Sequence, residues 1–194
     1  MKRIYLVPGI YDTAKRMQYI RLRLILAGYS DVHTIEIEPS DGSLSIEEMA
    51  IQILRKINTI EMQSTKTKEI VAIGFSMGGI VLRYVIQRLN GKELFSQYFS
   101  IASPHNGTII GYLNNGTGVR QMRPTSELLR KLQTDQNPWG NVKVYSYWTL
   151  FDMMIIPAYS SILSFAVNKL FPVPCHPCMT KNKTVVDNII QALE

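Results

Sequence analysis

The sequence predicts a single-domain α/β fold over residues 1–194, a three-layer sandwich in which a mostly parallel central sheet carries helices on both faces. Three observations predict it. Short apolar runs alternate with longer stretches of helical periodicity, the pattern of strands joined by right-handed crossovers. The runs at 4–7 and 69–75 are continuous rather than alternating, as strands covered on both faces are. A length of 194 residues, with 46% hydrophobic and 19% charged side chains, suits one domain with a sizeable core.

The elements follow in order. Residues 4–7 form a buried strand that Pro8-Gly9 ends, and it belongs mid-sheet. From 13 to 27, Met17, Ile20, Leu24 and Ala27 recur at helical spacing, and Gly28 stops the helix. Residues 32–37 alternate as a strand. The turn Asp41-Gly42-Ser43 is expected to cap a helix whose apolar face runs from Ile46 through Ile53 to Ile60 and ends near Glu61. The strand at 69–75 runs directly into Ser76-Met77-Gly78-Gly79 and a helix at 80–89, closed by Asn90-Gly91. A strand at 98–102, a Gly/Asn-rich loop at 106–118, a short helix at 126–132, a strand at 142–148 and a helix at 184–193 complete the chain. There is no internal repeat, low-complexity tract or linker.

Several function classes are set aside on composition. The net charge of +6 comes from scattered basic residues, so a solvated surface explains it better than nucleic-acid recognition, and weak contact with an anionic lipid surface remains compatible with it. Pro8-Gly9 interrupts the first apolar run before a secretory signal could form, and the cytoplasm is the expected location. Asp152, Pro157, Asn168 and Lys169 break the most apolar window, 148–171, which argues against a bilayer span. Cys175 and Cys178 are too few for a thiolate zinc site and lack a thioredoxin-like setting. They are expected to be loop packing or a labile disulfide, with no metal or cofactor required.

Gly74-Phe75-Ser76-Met77-Gly78 fits G-x-S-x-G in the context that gives the pattern meaning, a strand that turns sharply into a helix. Such a bend strains the serine backbone, and glycines at 74 and 78 relieve the crowding of strand against helix. The hydroxyl is lifted above the carboxyl edge of the sheet, at the amino end of the next helix. A phosphate cradle would need a closing Lys-Ser or Lys-Thr pair, and a dinucleotide fingerprint would need G-x-G-x-x-G; neither is present.

A serine nucleophile needs an imidazole to take its proton and a carboxylate to hold that imidazole. On this bend the partners follow the serine in the order acid, then histidine, which removes His33. His105 has only Glu93 between itself and Ser76, far from any strand end. His176 has Asp135 and Asp152. Asp152 is preferred because it follows the strand at 142–148 on the same sheet edge as Ser76, whereas Asp135 precedes that strand.

With Ser76, Asp152 and His176 assigned as catalytic, the chain from residue 4 onward resembles the small lidless lipases and esterases of the α/β-hydrolase superfamily in four places. These are Leu6-Val7-Pro8-Gly9-Ile10, the segment from Gly74 to Gly79, Ser103-Pro104-His105-Asn106-Gly107-Thr108, and the pair Asp152 and His176 ahead of a final helix. Pro8 stands where that family commonly has histidine. The resemblance implies that the backbone amides of Ile10 and Met77 form the oxyanion hole and that His105 is structural. It also implies a serine carboxylic ester hydrolase acting on a small ester or lipid through an acyl-enzyme. Acyl transfer or thioester cleavage on the same fold, or a binding protein that keeps the fold, are the alternatives. Residues 107–119 and 153–171 are candidates for the acyl-binding wall, most of the later segment being expected in the core.

Overall fold

In a computed structural model that describes residues 2–63 and 69–194, the chain forms β1 (Lys2–Val7), α1 (Ala14–Leu26), β2 (Val32–Thr34), α2 (Ile46–Met62) and β3 (Glu69–Phe75). It continues through α3 (Met77–Arg88), α4 (Gly91–Leu94), β4 (Gln97–Ile101), α5 (Thr117–Gln121) and α6 (Glu127–Gln133). The last elements are β5 (Lys143–Trp148), β6 (Val167–Leu170) and α7 (Lys183–Leu193). The six strands lie in the order β2-β1-β3-β4-β5-β6 and every neighbouring pair is parallel.

Period-two alternation divides the core between the two faces of the sheet. Ile4 and Leu6 of β1 join Val71, Ile73, Phe99 and Tyr147 under α1 and α7. Tyr5 and Val7 face the other way, with Ala72 and Tyr98, under α2, α3 and α6. This is the three-layer sandwich that the strand and helix spacing predicts.

Some boundaries differ from the sequence reading, each for a local reason. Asp41 does not cap α2, because its carboxylate accepts the amide and hydroxyl of Ser43 in a separate turn. The cap is Ser45, whose hydroxyl accepts the Glu48 amide while the Glu48 carboxylate accepts the Ser45 amide, a reciprocal box. β2 stops at Thr34, three residues short of the predicted strand, because its partner β1 turns away at Pro8-Gly9. α3 begins at Met77 rather than at residue 80. β6, α4 and α5 are not apparent in the apolar pattern.

Candidate active site

Ser76 sits between β3 and α3 with φ 53° and ψ −124°, the strained bend that its glycine setting predicts. Close approach accounts for those glycines. A Cβ on Gly78 would stand 2.3 Å from the Pro8 carbonyl oxygen, and one on Gly74 would stand 2.6 Å from the Gly79 Cα. The first turn of α3 therefore rests on the end of β1 with no room for a side chain.

The β1–α1 loop lies against the same bend, since a Cβ on Gly9 would meet the Ser76 Cβ at 2.9 Å. Tyr11 adopts φ 56°, and its amide donates to Ser40 O at 2.8 Å. Arg16 grips the loop by pairing with Asp12 at 2.7 Å while its guanidinium lies 5.9 Å from the centre of the Phe75 ring. Among the described residues, neither the Ile10 amide nor the Met77 amide donates to a protein acceptor. Two backbone donors in the segments that meet at the serine are thus without a protein acceptor.

Asp152 and His176 come together as the sheet-edge reasoning expects. His176 Nδ1 and Asp152 Oδ2 are 2.7 Å apart, with side-chain exposures of 8% and 2%. The other carboxylate oxygen accepts the amides of Met154 and Ile155 at 2.9 Å each, which fixes the carboxylate on the loop after β5. The imidazole packs on Phe75, the residue before Ser76, with ring centres 4.7 Å apart. Among the described residues the Ser76 hydroxyl makes no hydrogen bond, so the Ser76–His176 link is not formed in this arrangement. Asp135 lies elsewhere, paired with Arg88 at the far end of α3.

Ser76 opens into a cavity of about 270 Å³ walled by Ile10, Ile110, Val119, Met122 and Ile155. The chain around its mouth is apolar and exposed: Tyr11, Leu113 and Met154 line it, and Ile109, Tyr112, Phe151 and Met153 flank them. Thr108 joins the two walls, its hydroxyl donating to Met154 O at 2.9 Å and accepting the Ile156 amide at 3.0 Å. Residues 153–171 thus depart from the expected core role. Ile155, Leu163 and Phe171 are buried, but Met153, Tyr159, Ile162, Phe165, Val167 and Leu170 are exposed, because the segment wraps the rim and then forms an edge strand.

A family model for palmitoyl protein thioesterase matches residues 4–161. The chain belongs to the palmitoyl protein thioesterase family. The match spans Ser76 and Asp152 and ends before His176. No curated protein matched the chain in a sequence comparison. Among solved structures, Aspergillus fumigatus lipase B superposes with a TM-score of 0.83 at 18% identity, over 99% of this chain and 52% of the fungal one. The chain therefore spans about half of that lipase's length. The product of Listeria innocua gene lin2722 gives 0.76 at 11% identity, over 100% and 94% of the two chains. Mature Bacillus licheniformis lipase BlEst2 gives 0.70 at 14%, over 98% and 91%. These likenesses establish an α/β-hydrolase fold shared with lipases and esterases.

In this palmitoyl protein thioesterase family member, two buried residues that sequence reasoning left without an environment support the cavity wall. His105 is fully buried and bonded to the Ser100 hydroxyl at 2.6 Å; burial, with the nearby Arg83 charge, pushes its imidazole well below the usual range. Arg83 donates to His105 O at 3.0 Å, Leu132 O at 2.9 Å and Gln87 Oε1 at 2.9 Å, and burial lowers its guanidinium to about 10. It ties the 103–108 loop to the carboxyl end of α6, where the helix dipole favours a cation. A cation amid the apolar pattern of α3 was the available signal. Cys175 and Cys178 form a disulfide around His176-Pro177, which removes both thiols from metal ligation. Among the described residues, no helix is long and apolar enough to cross a membrane.

Proposed function

We propose that the protein is a serine hydrolase that cleaves acyl esters and thioesters through an acyl-enzyme on Ser76. The observation that carries this reading is the buried Asp152–His176 pair, its imidazole packed on Phe75 next to Ser76, which itself opens into an apolar cavity. His176 Nε2 takes the hydroxyl proton as Ser76 attacks the acyl carbonyl, a contact that tightens as substrate enters. Asp152 holds the Nδ1–H tautomer and stabilises the imidazolium. The open amides of Ile10 and Met77 receive the oxyanion. His176 then protonates the leaving alcohol or thiol, and water repeats the sequence to free the acid. Membership of a thioesterase family favours thioester substrates alongside esters. A cavity of about 270 Å³ is at the small end of ligand pockets, with space for one acyl chain.

A lipid surface fits the rim around that cavity. Its apolar side chains are exposed together, and the stretches 94–126 and 136–186 carry no acidic residue except Asp152, which is buried. Arg120, Arg123 and Lys181 lie in the same stretches, cations that suit an anionic headgroup layer.

The test is a fluorophosphonate probe with a panel of p-nitrophenyl esters and acyl thioesters. Labelling at Ser76, and turnover that Ser76→Ala lowers by about a million-fold, is expected. A purified, folded protein that is neither labelled nor active on any acyl substrate would overturn the reading.

A further inference from the structure

We infer that the Cys175–Cys178 disulfide is a reversible thiol–disulfide switch that sets the position of His176. The inference rests on the reading of His176 as the catalytic base. His176 is enclosed in the ring, between two half-buried cysteines separated by only three positions in sequence.

Hydrogen bonds leave this loop to its own devices. Cys178 N donates to Cys175 O at 3.1 Å, Met179 N to His176 O at 3.2 Å, and the Thr180 hydroxyl to Pro177 O at 3.1 Å. All of these bonds stay within residues 175–180. Pro174 and Pro177 have no amide to donate, and among the described residues the amides of Cys175 and His176 find no acceptor. The flanking anchors are Val173, whose carbonyl accepts the Thr149 hydroxyl at 2.6 Å, and Met179, which is fully buried. Between them, no backbone hydrogen bond reaches the rest of the fold among the described residues. The covalent ring, the Asp152 bond, the Phe75 contact and the packing of Cys178 and Met179 on the core are what fix the imidazole.

Ring size points to a local role. The entropy a disulfide removes from the unfolded chain grows with the loop it closes, so a ring this small contributes least to global stability. Its effect falls on the segment that it encloses. A dithiol reductant delivers two electrons and two protons: its own sulfurs join, the Cys175–Cys178 bond breaks, and two cysteine thiols form. The opened loop lets the His176 backbone wander while Asp152 still holds Nδ1. The imidazole then spends less time aligned with Ser76, and turnover falls. Reoxidation of the thiols by a small-molecule disulfide restores the ring.

The experiment measures p-nitrophenyl ester turnover on oxidised protein, on protein reduced with dithiothreitol and desalted, and on the Cys175→Ala/Cys178→Ala variant. Thiol alkylation with mass spectrometry reports the redox state. The expected result is a kcat lower by about ten- to a hundredfold in the reduced protein and the variant, the scale of a misplaced catalytic group. KM changes little, Tm falls by only a few degrees, and oxidised glutathione restores the reduced protein but not the variant. Equal turnover in all three forms overturns the switch while leaving the proposed function standing. A loss that tracks unfolding in Tm also overturns it, because the ring is then a structural staple. Absence of turnover in the oxidised protein defeats the proposed function itself, which separates the two failures.

Discussion

His176 Nδ1 lies 2.7 Å from Asp152 Oδ2, and the remaining oxygen of that carboxylate is held by the amides of Met154 and Ile155. Three donors thus converge on one carboxylate, so it accepts at both ends and cannot turn. Asp152→Asn places an NH2 group on one of those ends. Turnover is expected to fall by about 10⁴ with KM little changed, because the wrong imidazole tautomer is favoured. Asp135→Asn should leave turnover unaltered, since Asp135 pairs with Arg88 at the other end of α3. Steady-state kinetics on a p-nitrophenyl ester decide it; equal effects from both variants would refute the acid assignment.

The cavity's inner wall should set chain length. Val119 is 5% exposed and faces the same space as Ser76. Val119→Phe fills part of that space, so kcat/KM for long-chain esters should drop by about tenfold relative to acetate. A parallel change across the whole ester series would show that the acyl chain lies elsewhere.

The bend at Ser76 carries a stability prediction. A methyl on Gly78 would collide with the Pro8 and Val7 carbonyl oxygens at 2.3 and 2.5 Å, and both belong to backbone. Gly78→Ala is therefore expected to destabilise the fold by about 1–3 kcal/mol, despite alanine's better helix propensity of about 1 kcal/mol. The urea midpoint measures this, and an unchanged midpoint would contradict the packing argument.

His105 gives acid sensitivity with a defined sign. Folded, its imidazole is neutral well below the ordinary value, chiefly because it is buried; unfolded, it takes up a proton below about pH 6.5. The unfolded state therefore binds more protons in acid. Stability from this group is complete above about pH 6.5 and is lost as pH falls, at about 1.4 kcal/mol per pH unit until the folded imidazole titrates. Urea unfolding across a pH series should show that slope. The His105 ring resonances should stay flat through about pH 6.5, where an ordinary imidazole titrates, and titration there would refute the account.

The proposed contact of the rim with lipid is separable from the chemistry. Ile109 and Met153 are 51% and 75% exposed and stand outside the cavity lining. Ile109→Asp combined with Met153→Asp should weaken sedimentation with vesicles containing phosphatidylglycerol and slow turnover of emulsified esters. Hydrolysis of a soluble short-chain ester should be spared. Loss of both activities together would point to a damaged site instead.

Much of the candidate site's placement was legible because its determinants are local. A strand, Ser76 and an apolar helix adjoin in sequence, and the position of Asp152 just past β5 follows from strand polarity alone. The pairing of Asp152 with His176, 24 residues on, came from elimination among few candidates. What escaped notice depends on tertiary context. β6 reads Val-Asn-Lys-Leu, without a buried face, and is a strand only because β5 offers its edge. The exposed Met153, Tyr159 and Phe165 look like core residues in composition, yet they rim a cavity or edge that composition does not encode. Arg83 and the Asp12–Arg16 clamp act through loops whose approach no periodicity reveals.

β6 is the last strand of the sheet, with Val167 and Leu170 both 48% exposed, and its one cation, Lys169, is engaged by the Asn188 side chain at 2.8 Å. An open border of this kind is where another copy's backbone docks most readily, whereas β2 at the opposite border offers only three residues. Clouding or fibre growth in concentrated stocks should therefore begin at β6, and a second lysine at Val167 would be the simplest way to extend shelf life.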